Sequence, residues 1–569
     1  VVELYYINAP KKSPPQLKRD LNIMQKKYSQ LLALSEEILE KVTLVLKRKK
    51  NTDADPDTKW FDDNQFLVHG LAWLATYVEA LKQLNTWAEN LHKRCTFSEF
   101  ESLALELAFS EYLQQIIHGI PMSQTEIIRL VDFGIDQKYI SFVLSNSILI
   151  EVTNQENINK SKKRLVELAL EKENSVVLEQ TGLESEFQAI RDQFYKYNNS
   201  RVKDNANVWH RKDQLIPLNV IDELAKMGVF GLTVPERYGG SGLNKLAMCV
   251  VSEELSRGYI GIGSLGTRTE IASELILNGG TEPQKEYYLP KISKGKLIPA
   301  AVFTEPDSGS DLGSITTTAK KKGKEYLITG NKTWITHASR SDLMIILART
   351  NHDNKKKNKG LSILLAPKTP GTDKVYFPDQ NITGTEINVL GYRGMKEFEM
   401  RFESFAVNET GLLGNLEDMG FSQLMNTFES ARIQTAARSV GVAQNALDLA
   451  ISYASNRTQF DNQLINFQRI YNKIALMIIE IILGRQLVYF AAKNKDAGRR
   501  CDLEAGMAKL LCGRIAWSCS DNSLQIHGGN GYSLEYDISR VLCDARVLSI
   551  FEGTAEIQAQ IIGKRLLNS

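Results

Sequence analysis

Near the end of the chain the sequence reads Ser549-Ile550-Phe551-Glu552-Gly553-Thr554-Ala555-Glu556, a carboxylate set between an apolar run and a glycine that opens a helical pattern. Such a carboxylate can take a proton from a bound molecule, or it can simply start a helix in water. Three other segments give it company. Thr304-Glu305-Pro306-Asp307-Ser308-Gly309-Ser310 is a turn whose glycine and serines leave amides and hydroxyls uncovered, able to approach a pyrophosphate or the edge of a planar ring. Trp334-Ile335-Thr336 sets an aromatic face beside a hydroxyl on a strand, although a strand tryptophan standing alone reads as core. Gln525-Ile526-His527-Gly528-Gly529-Asn530-Gly531-Tyr532 is a second glycine-rich turn.

These segments sit in a chain of 569 residues, long enough for three or four domains. Charged residues make up 24% and the net charge is +2, so no global field argues for nucleic acid or an anionic membrane as partner. Cys95, Cys249, Cys501, Cys512, Cys519 and Cys543 show no CxxC spacing and the seven histidines are scattered, so neither a disulfide framework nor a metal site is expected. With no uninterrupted apolar run of about 18 residues and no signal-peptide core, the expected location is the cytoplasm, a removed organelle presequence being the alternative.

The elements that must hold the four segments read as follows. Residues 1 to about 170 carry Leu, Glu, Lys and aromatic residues at helical spacing, with breaks at Pro14-Pro15 and at the polar stretch 51–57. A second helical region begins at Gly182 and includes an amphipathic helix over 216–228. Around Ala300 the pattern turns to period-two alternation. Strands are expected over 314–319 and 325–330, joined by a turn at 321–324, with further strands over 343–349 and 361–366. The lysine-rich stretch 352–360 reads as a solvated hairpin tip. Long helices return over 421–457, 467–496 and 503–525, with a last one from Gly553, an antiparallel four-helix bundle. The expected fold class is mainly α with a β middle domain, α+β. Its domains are an extra N-terminal helical domain (1–180), a helical domain (181–298), a β-barrel-like middle domain (299–412) and a C-terminal bundle (413–569).

Taken together, the four segments and the block order from about residue 181 onward resemble the acyl-CoA dehydrogenases. The resemblance implies FAD as cofactor and an acyl-CoA as substrate. Removing hydrogens from adjacent carbons of a thioester needs a base for the α-proton and a hydride acceptor for the β-carbon, and no side chain accepts hydride. By resemblance Glu552 is the base. Burial against apolar groups and the flavin is expected to raise its pKa toward working pH, while the Glu552 N–H and a flavin hydroxyl bind the thioester oxygen. The resemblance further places Phe303, Thr304, Ser310, Trp334, Ile335, Thr336, Thr554 and Glu556 at the flavin. It sends Arg457, Phe460, Gln468, Gln525, Gly528 and Gly529 to the FAD of a neighbouring subunit. Ser310, Gly553, Glu429 and Arg432 are expected at the substrate, Glu429 and Arg432 on the CoA pantetheine, although as neighbours on one helix they also read as a surface ion pair. The assembly implied is a homodimer or a dimer of dimers, with an electron-transfer flavoprotein as electron acceptor.

Within the family, Leu265-Gly266-Thr267-Arg268-Thr269-Glu270-Ile271, Gly391-Tyr392-Arg393-Gly394-Met395-Lys396, Phe428 to Arg438 and the long helical extension resemble dehydrogenases of a short, branched acyl-CoA bearing a free carboxylate. Such a substrate needs a cation beyond its β-carbon. Arg268 is the first candidate, with Arg393 and Arg438 as alternatives, against the plainer reading that Arg268 pairs with Glu270 or Glu274. Rival readings are a butyryl-, isobutyryl- or 2-methylbutyryl-CoA dehydrogenase and, from another class, a non-catalytic binding protein on the same fold.

Overall fold

The computed structural model describes residues 14–52, 57–172, 175–351 and 358–569, with side chains from residue 25 onward. The chain forms two compact units, one of residues 1–173, 177–182 and 563–569, the other of 174–176 and 183–562. The expected break at 53–56 and most of the lysine-rich tip, 352–357, lie outside the described residues.

The first unit is helical. Its first helix is described over Pro14–Thr52 and includes the two prolines that the sequence reading took as a break. Gln65–Lys93 is buried on most sides, Val68 through Val78 contributing an almost continuous run. Glu99–His118 begins with a capping box in which the Glu101 carboxylate accepts the Ser98 amide at 3.0 Å. Tyr77 and Tyr112 pack with ring centroids 4.3 Å apart, and the Trp87 indole donates to the Gln180 carbonyl at 2.7 Å. These aromatics build the core of the unit.

In the second unit a seven-stranded sheet runs in the order Pro299–Val302, Leu343–Arg349, Thr318–Lys322, Glu325–Thr336, Glu397–Asn408, Ile382–Ile387, with Leu361–Pro367 also paired to Leu343–Arg349. Period-two alternation divides its side chains. Leu343, Ile345 and Leu347 join a core with Ile271, Leu275 and Leu289 of the preceding helices, while Met344, Ile346 and Ala348 join the opposite core with Ile335 and Phe398. The strand expected over 314–319 is displaced to Thr318–Lys322. The amides of Thr316 and Thr317 donate to the Glu305 carboxylate, outside the strand, at 2.7 and 2.9 Å instead of joining the ladder. The expected amphipathic helix is shorter, Leu218–Lys226, because Pro217 takes the position before it.

Gly420–Asn456, Gln468–Asp496 and Asp502–His527 are long helices, followed by Asp537–Val547, which the sequence reading did not separate, and Ala555–Asn568. Gln468–Asp496 contains an 18-residue window apolar enough to cross a membrane, and 83% of that window is buried inside the protein.

A charge network fastens the helices around the sheet. Arg191 of Ser185–Tyr197 donates to Glu253 at 2.9 Å and to Glu254 at 2.8 Å, both on Lys245–Gly258. Arg485 donates to Glu253 at 2.9 Å and to Gln444 at 2.9 Å. Arg191 and Arg485 are fully buried. Burial pushes the Glu253 carboxyl up, but the two guanidiniums outweigh it and hold the pKa down at about 2. Removing a partner from such a cluster strands buried charge, so Glu253→Ala is expected to cost about 3–5 kcal/mol, read as a lower unfolding midpoint in denaturant.

Candidate active site

Glu552 and Gly553 stand back to back in the left-handed region, with φ of +53° and +91°. Glycine adopts that conformation freely; a glutamate there is held against its preference by its surroundings. A Cβ on Gly553 would run into the Gln558 side chain, and the positive φ strains any other residue at that position. The turn is pinned from both sides. The Gly553 carbonyl accepts a hydrogen bond from the ammonium of Lys509, on Asp502–His527, and another from Gln558 Nε2 at 3.3 Å. Ala555 N–H donates to the Ser549 carbonyl at 3.0 Å and closes the loop.

Both oxygens of the Glu552 carboxylate are engaged. Arg268 Nη2 donates to Oε1 at 2.6 Å, Arg438 Nη2 donates to the same oxygen at 3.1 Å, and the Thr435 hydroxyl donates to Oε2. Arg438 also donates to Ser264 Oγ and to Thr435 Oγ1, each at 2.8 Å. Helical spacing explains the set: Ser264 and Arg268 lie four residues apart on Ile260–Gly279, and Thr435 and Arg438 three apart on Gly420–Asn456. Arg268 therefore does not pair with Glu270 or Glu274, because Lys245 takes both of those carboxylates.

The expected rise in the Glu552 pKa is overturned. Burial does push the carboxyl up, but the Arg438 and Arg268 guanidiniums, the Thr435 hydroxyl and the Lys509 ammonium together hold it below the ordinary glutamate value. A neighbouring carboxylate, Glu397, is displaced upward instead. Glu397 faces Thr336 across the strand pair and accepts its hydroxyl at 3.1 Å. Burial pushes its pKa up to about 7, only partly offset by Thr336 and by the charge of Arg268. Lys509 is pushed down to about 7, chiefly by burial, against the pull of Glu552.

Around this centre several buried polar atoms have no hydrogen-bond partner among the described residues: Arg268 Nε, Arg438 Nε, the Tyr392 hydroxyl and both ring nitrogens of His337. Tyr392 is fixed by its amide, which donates to Asp544 at 2.7 Å, and by its ring, edge-on to Phe551 at 5.4 Å. Arg393, the second arginine weighed from sequence, donates instead to the backbone carbonyls of Val389 and His210, at 3.1 and 3.3 Å.

The other sequence candidates fall into two groups. In the first, Lys332 Nζ donates to the Phe303 carbonyl at 2.7 Å and the Thr333 amide donates to the Thr304 carbonyl at 3.0 Å, bringing the 303–310 turn against the strand of Trp334. Ile335 and Phe303 are buried side chains, Ser310 is exposed, and Trp334 stands out at 57% exposure with φ of +58° at a break in strand register. Thr554 begins the last helix, its hydroxyl accepting the Ile557 amide at 3.3 Å, and Glu556 is exposed. The second group gathers at one end of the bundle: Arg457, Phe460, Gln468, Gln525, Gly528 and Gly529 are all exposed, Phe460 at 91%. His527 stacks on Tyr453 at 4.2 Å and Asn530 donates to the Tyr453 hydroxyl at 2.9 Å, joining the glycine turn to the helix that ends beside Arg457. A Cβ on Gly528 or Gly529 would meet nothing, so both edges lie open. Glu429 pairs with Lys495 at 2.8 Å rather than with Arg432, which leaves Arg432 outside the surface pair read from sequence.

Sequence reasoning missed Thr435, Lys509, Glu397, Tyr392 and His337 as neighbours of the site. The one local signal was a threonine three residues before Arg438; Glu397 gives none, since it shares its strand face with the exposed Glu399, Arg401 and Glu403.

Residues 184–296, 300–405 and 418–567 match, respectively, the N-terminal, middle and C-terminal domains of acyl-CoA dehydrogenase. The chain is 53% identical over 533 residues to (2S)-methylsuccinyl-CoA dehydrogenase of Cereibacter sphaeroides, covering 94% of this chain and 96% of that one. It is 35% identical to the human mitochondrial short-chain specific acyl-CoA dehydrogenase over 63% of this chain and 84% of that one. Among solved structures, butyryl-CoA dehydrogenase from Megasphaera elsdenii superposes with a TM-score of 0.63 at 30% identity, over 68% of this chain and 99% of that one. A glutaryl-coenzyme A dehydrogenase in complex with glutaryl-CoA superposes with a TM-score of 0.64 at 30% identity, over 68% of this chain and 96% of that one.

The buried Glu397 yields a stability prediction. Its folded pKa lies above the unfolded one, so the folded state binds more protons between about pH 4.5 and 7 and loses stability as pH rises through that window. Glu397→Gln removes the titration. Its stability relative to the wild type is therefore expected to improve from pH 5 to pH 8, by on the order of 3 kcal/mol, measured as the difference in unfolding free energy across the pH series.

Proposed function

This chain belongs to the acyl-CoA dehydrogenase family, and we propose that it oxidises a short, branched acyl-CoA bearing a free carboxylate, (2S)-methylsuccinyl-CoA, to mesaconyl-CoA. The observation that carries the substrate is the guanidinium cluster beside the base. Arg268 and Arg438 bring two buried positive charges to the site, with unpartnered N–H groups and the unpartnered Tyr392 hydroxyl next to them. An uncharged acyl chain has no use for those donors and would leave them stranded; a carboxylate satisfies them. Arg268 is its principal partner in this reading.

Glu552 is the general base. It takes the α-proton on a carboxylate oxygen, while its own N–H donates to the thioester oxygen and stabilises the charge that develops there. Acyl-CoA dehydrogenases use FAD, and when bound it supplies the acceptor for the hydride that leaves the β-carbon. The residues fit that cofactor. Trp334 exposes its indole between the buried Thr333 and Ile335, and Thr304 and Ser310 bring polar groups to the same edge, beside Phe303 and Thr336. Gly528 and Gly529 leave backbone open to a dinucleotide, near the exposed Arg457, Phe460, Gln468 and Gln525. That second group serves a second copy of the chain in this proposal, the protein working as a homodimer or a dimer of dimers. Thr554 and Glu556 extend the first group, and Gly553, Ser310, Glu429 and Arg432 complete the acyl-CoA site. Electrons leave to an electron-transfer flavoprotein.

A substrate panel with an artificial electron acceptor tests the reading. Methylsuccinyl-CoA is expected to exceed butyryl-, isobutyryl- and glutaryl-CoA in kcat/KM by about 100-fold or more. Equal turnover of butyryl-CoA would sink the substrate assignment and leave a general short-chain enzyme. Glu552→Gln is expected to lower turnover by about 10²- to 10⁴-fold with thioester binding retained, whereas a binding protein on this fold would show no turnover to lose.

A further inference from the structure

The clamp on Glu552 poses a chemical problem. A base whose two oxygens already accept three hydrogen bonds, two of them from guanidiniums, is poorly disposed to accept a proton. One of those partners must yield before the α-proton can move.

The two arginines differ in what else holds them. Arg438 is fully buried, donates to Ser264 and to Thr435, and lies with its guanidinium 4.9 Å from the centre of the Phe551 ring. It stays in place whatever Glu552 does. Arg268 has Glu552 as its hydrogen-bond acceptor, an unpartnered Nε, and a side chain 10% exposed at the site. It is the partner free to turn.

We propose that Arg268 sets specificity in the chemical step as well as in binding: it holds the Glu552 carboxylate in the resting site, and the free carboxylate of the substrate draws it away and so releases the base. The inference rests on the preceding reading that the substrate carries such a carboxylate. A guanidinium presents a planar fork that a carboxylate fills with two parallel bonds, so the incoming group competes well with a single contact to Glu552 Oε1. An uncharged acyl chain offers no competing acceptor and leaves the clamp closed. Discrimination is thereby written into kcat, where it is beyond the reach of saturating concentrations of the wrong thioester.

The sign of the effect follows from the groups that face Glu552. Arg438 and Thr435 approach from Gly420–Asn456, Lys509 from Asp502–His527 and Arg268 from Ile260–Gly279, while Arg268 in turn faces Tyr392 and Glu397. Arg438 and Lys509 remain when Arg268 leaves. Withdrawing one positive charge makes Glu552 a stronger base without leaving it unpaired.

Two experiments test this. In Arg268→Met, kcat/KM for methylsuccinyl-CoA is expected to fall by about 100-fold, whereas kcat for butyryl-CoA rises several-fold, about tenfold at most, and the acid limb of its kcat/KM profile moves to higher pH. In the wild type, calorimetric titration near pH 6 in buffers of different ionisation enthalpy is expected to show proton uptake when mesaconyl-CoA binds and none when crotonyl-CoA binds. This second measurement needs no variant and no turnover. Loss of methylsuccinyl-CoA activity with butyryl-CoA kcat and acid limb unmoved, or equal proton uptake with the two ligands, would overturn the exchange while leaving the substrate assignment intact. Undiminished methylsuccinyl-CoA turnover in Arg268→Met would overturn both.

Discussion

Compensation of one buried carboxylate is the constraint around which this active site is built. Glu552 lies in a protein interior where an isolated charge is too costly to persist, so donors from two helices must converge on it, with an ammonium from a third behind them. Each helix contributes through ordinary spacing, yet none reaches the carboxylate unless the bundle and the preceding helical region are packed in register. The left-handed backbone at Glu552 and Gly553 is possible for the same reason. Lys509 and Gln558 hold the Gly553 carbonyl, and the side-chain contacts of Glu552 offset an unfavourable conformation.

That arrangement reaches outward into the sheet. Glu397 and Thr336 are register partners on adjacent strands, and Arg268 lies close enough to both carboxylates to influence each. The Trp334 strand is tied to the 303–310 turn by Lys332 and by the Thr333 amide, while Glu305 takes the amides that would otherwise extend the next strand. The 303–310 turn is thus tied to the Trp334 strand by hydrogen bonds, and that strand to the Glu552 cluster through the charges of Glu397 and Arg268. The deeper cluster of Arg191, Glu253 and Arg485 ties three further helices together and, through the Arg485 bond to Gln444, fastens them to the helix that carries Thr435 and Arg438.

Much of this was legible beforehand because it depends on local pattern. Alternation over 343–349 named a strand, and the structure supplies Leu343–Arg349 with its side chains divided between two cores. The helical pattern read as opening at Gly553 begins two residues later, as Ala555–Asn568, and the glycines after His527 open a short 3₁₀ helix, Gly528–Tyr532. Where local pattern misled, a distant side chain had intervened. The strand expected over 314–319 yielded to Glu305. Arg432 and Glu429 looked like partners because they share a helix face, but Lys495 from another helix takes the glutamate.

The sequence by itself determined the class of chemistry: a carboxylate on a glycine turn, uncovered turns and a strand tryptophan are chemical facts of residue type and order, and they carried the family resemblance. Only the tertiary structure decided the state of the base. Arg268 and Glu552 are 284 positions apart, and no local spacing reports that their charges meet at 2.6 Å or that Lys245 has already taken Glu270 and Glu274. The direction of a pKa depends on the balance between desolvation and neighbouring charge, and both are properties of the folded interior rather than of the chain. Sequence therefore singled out the carboxylate, and packing set the charges that surround it.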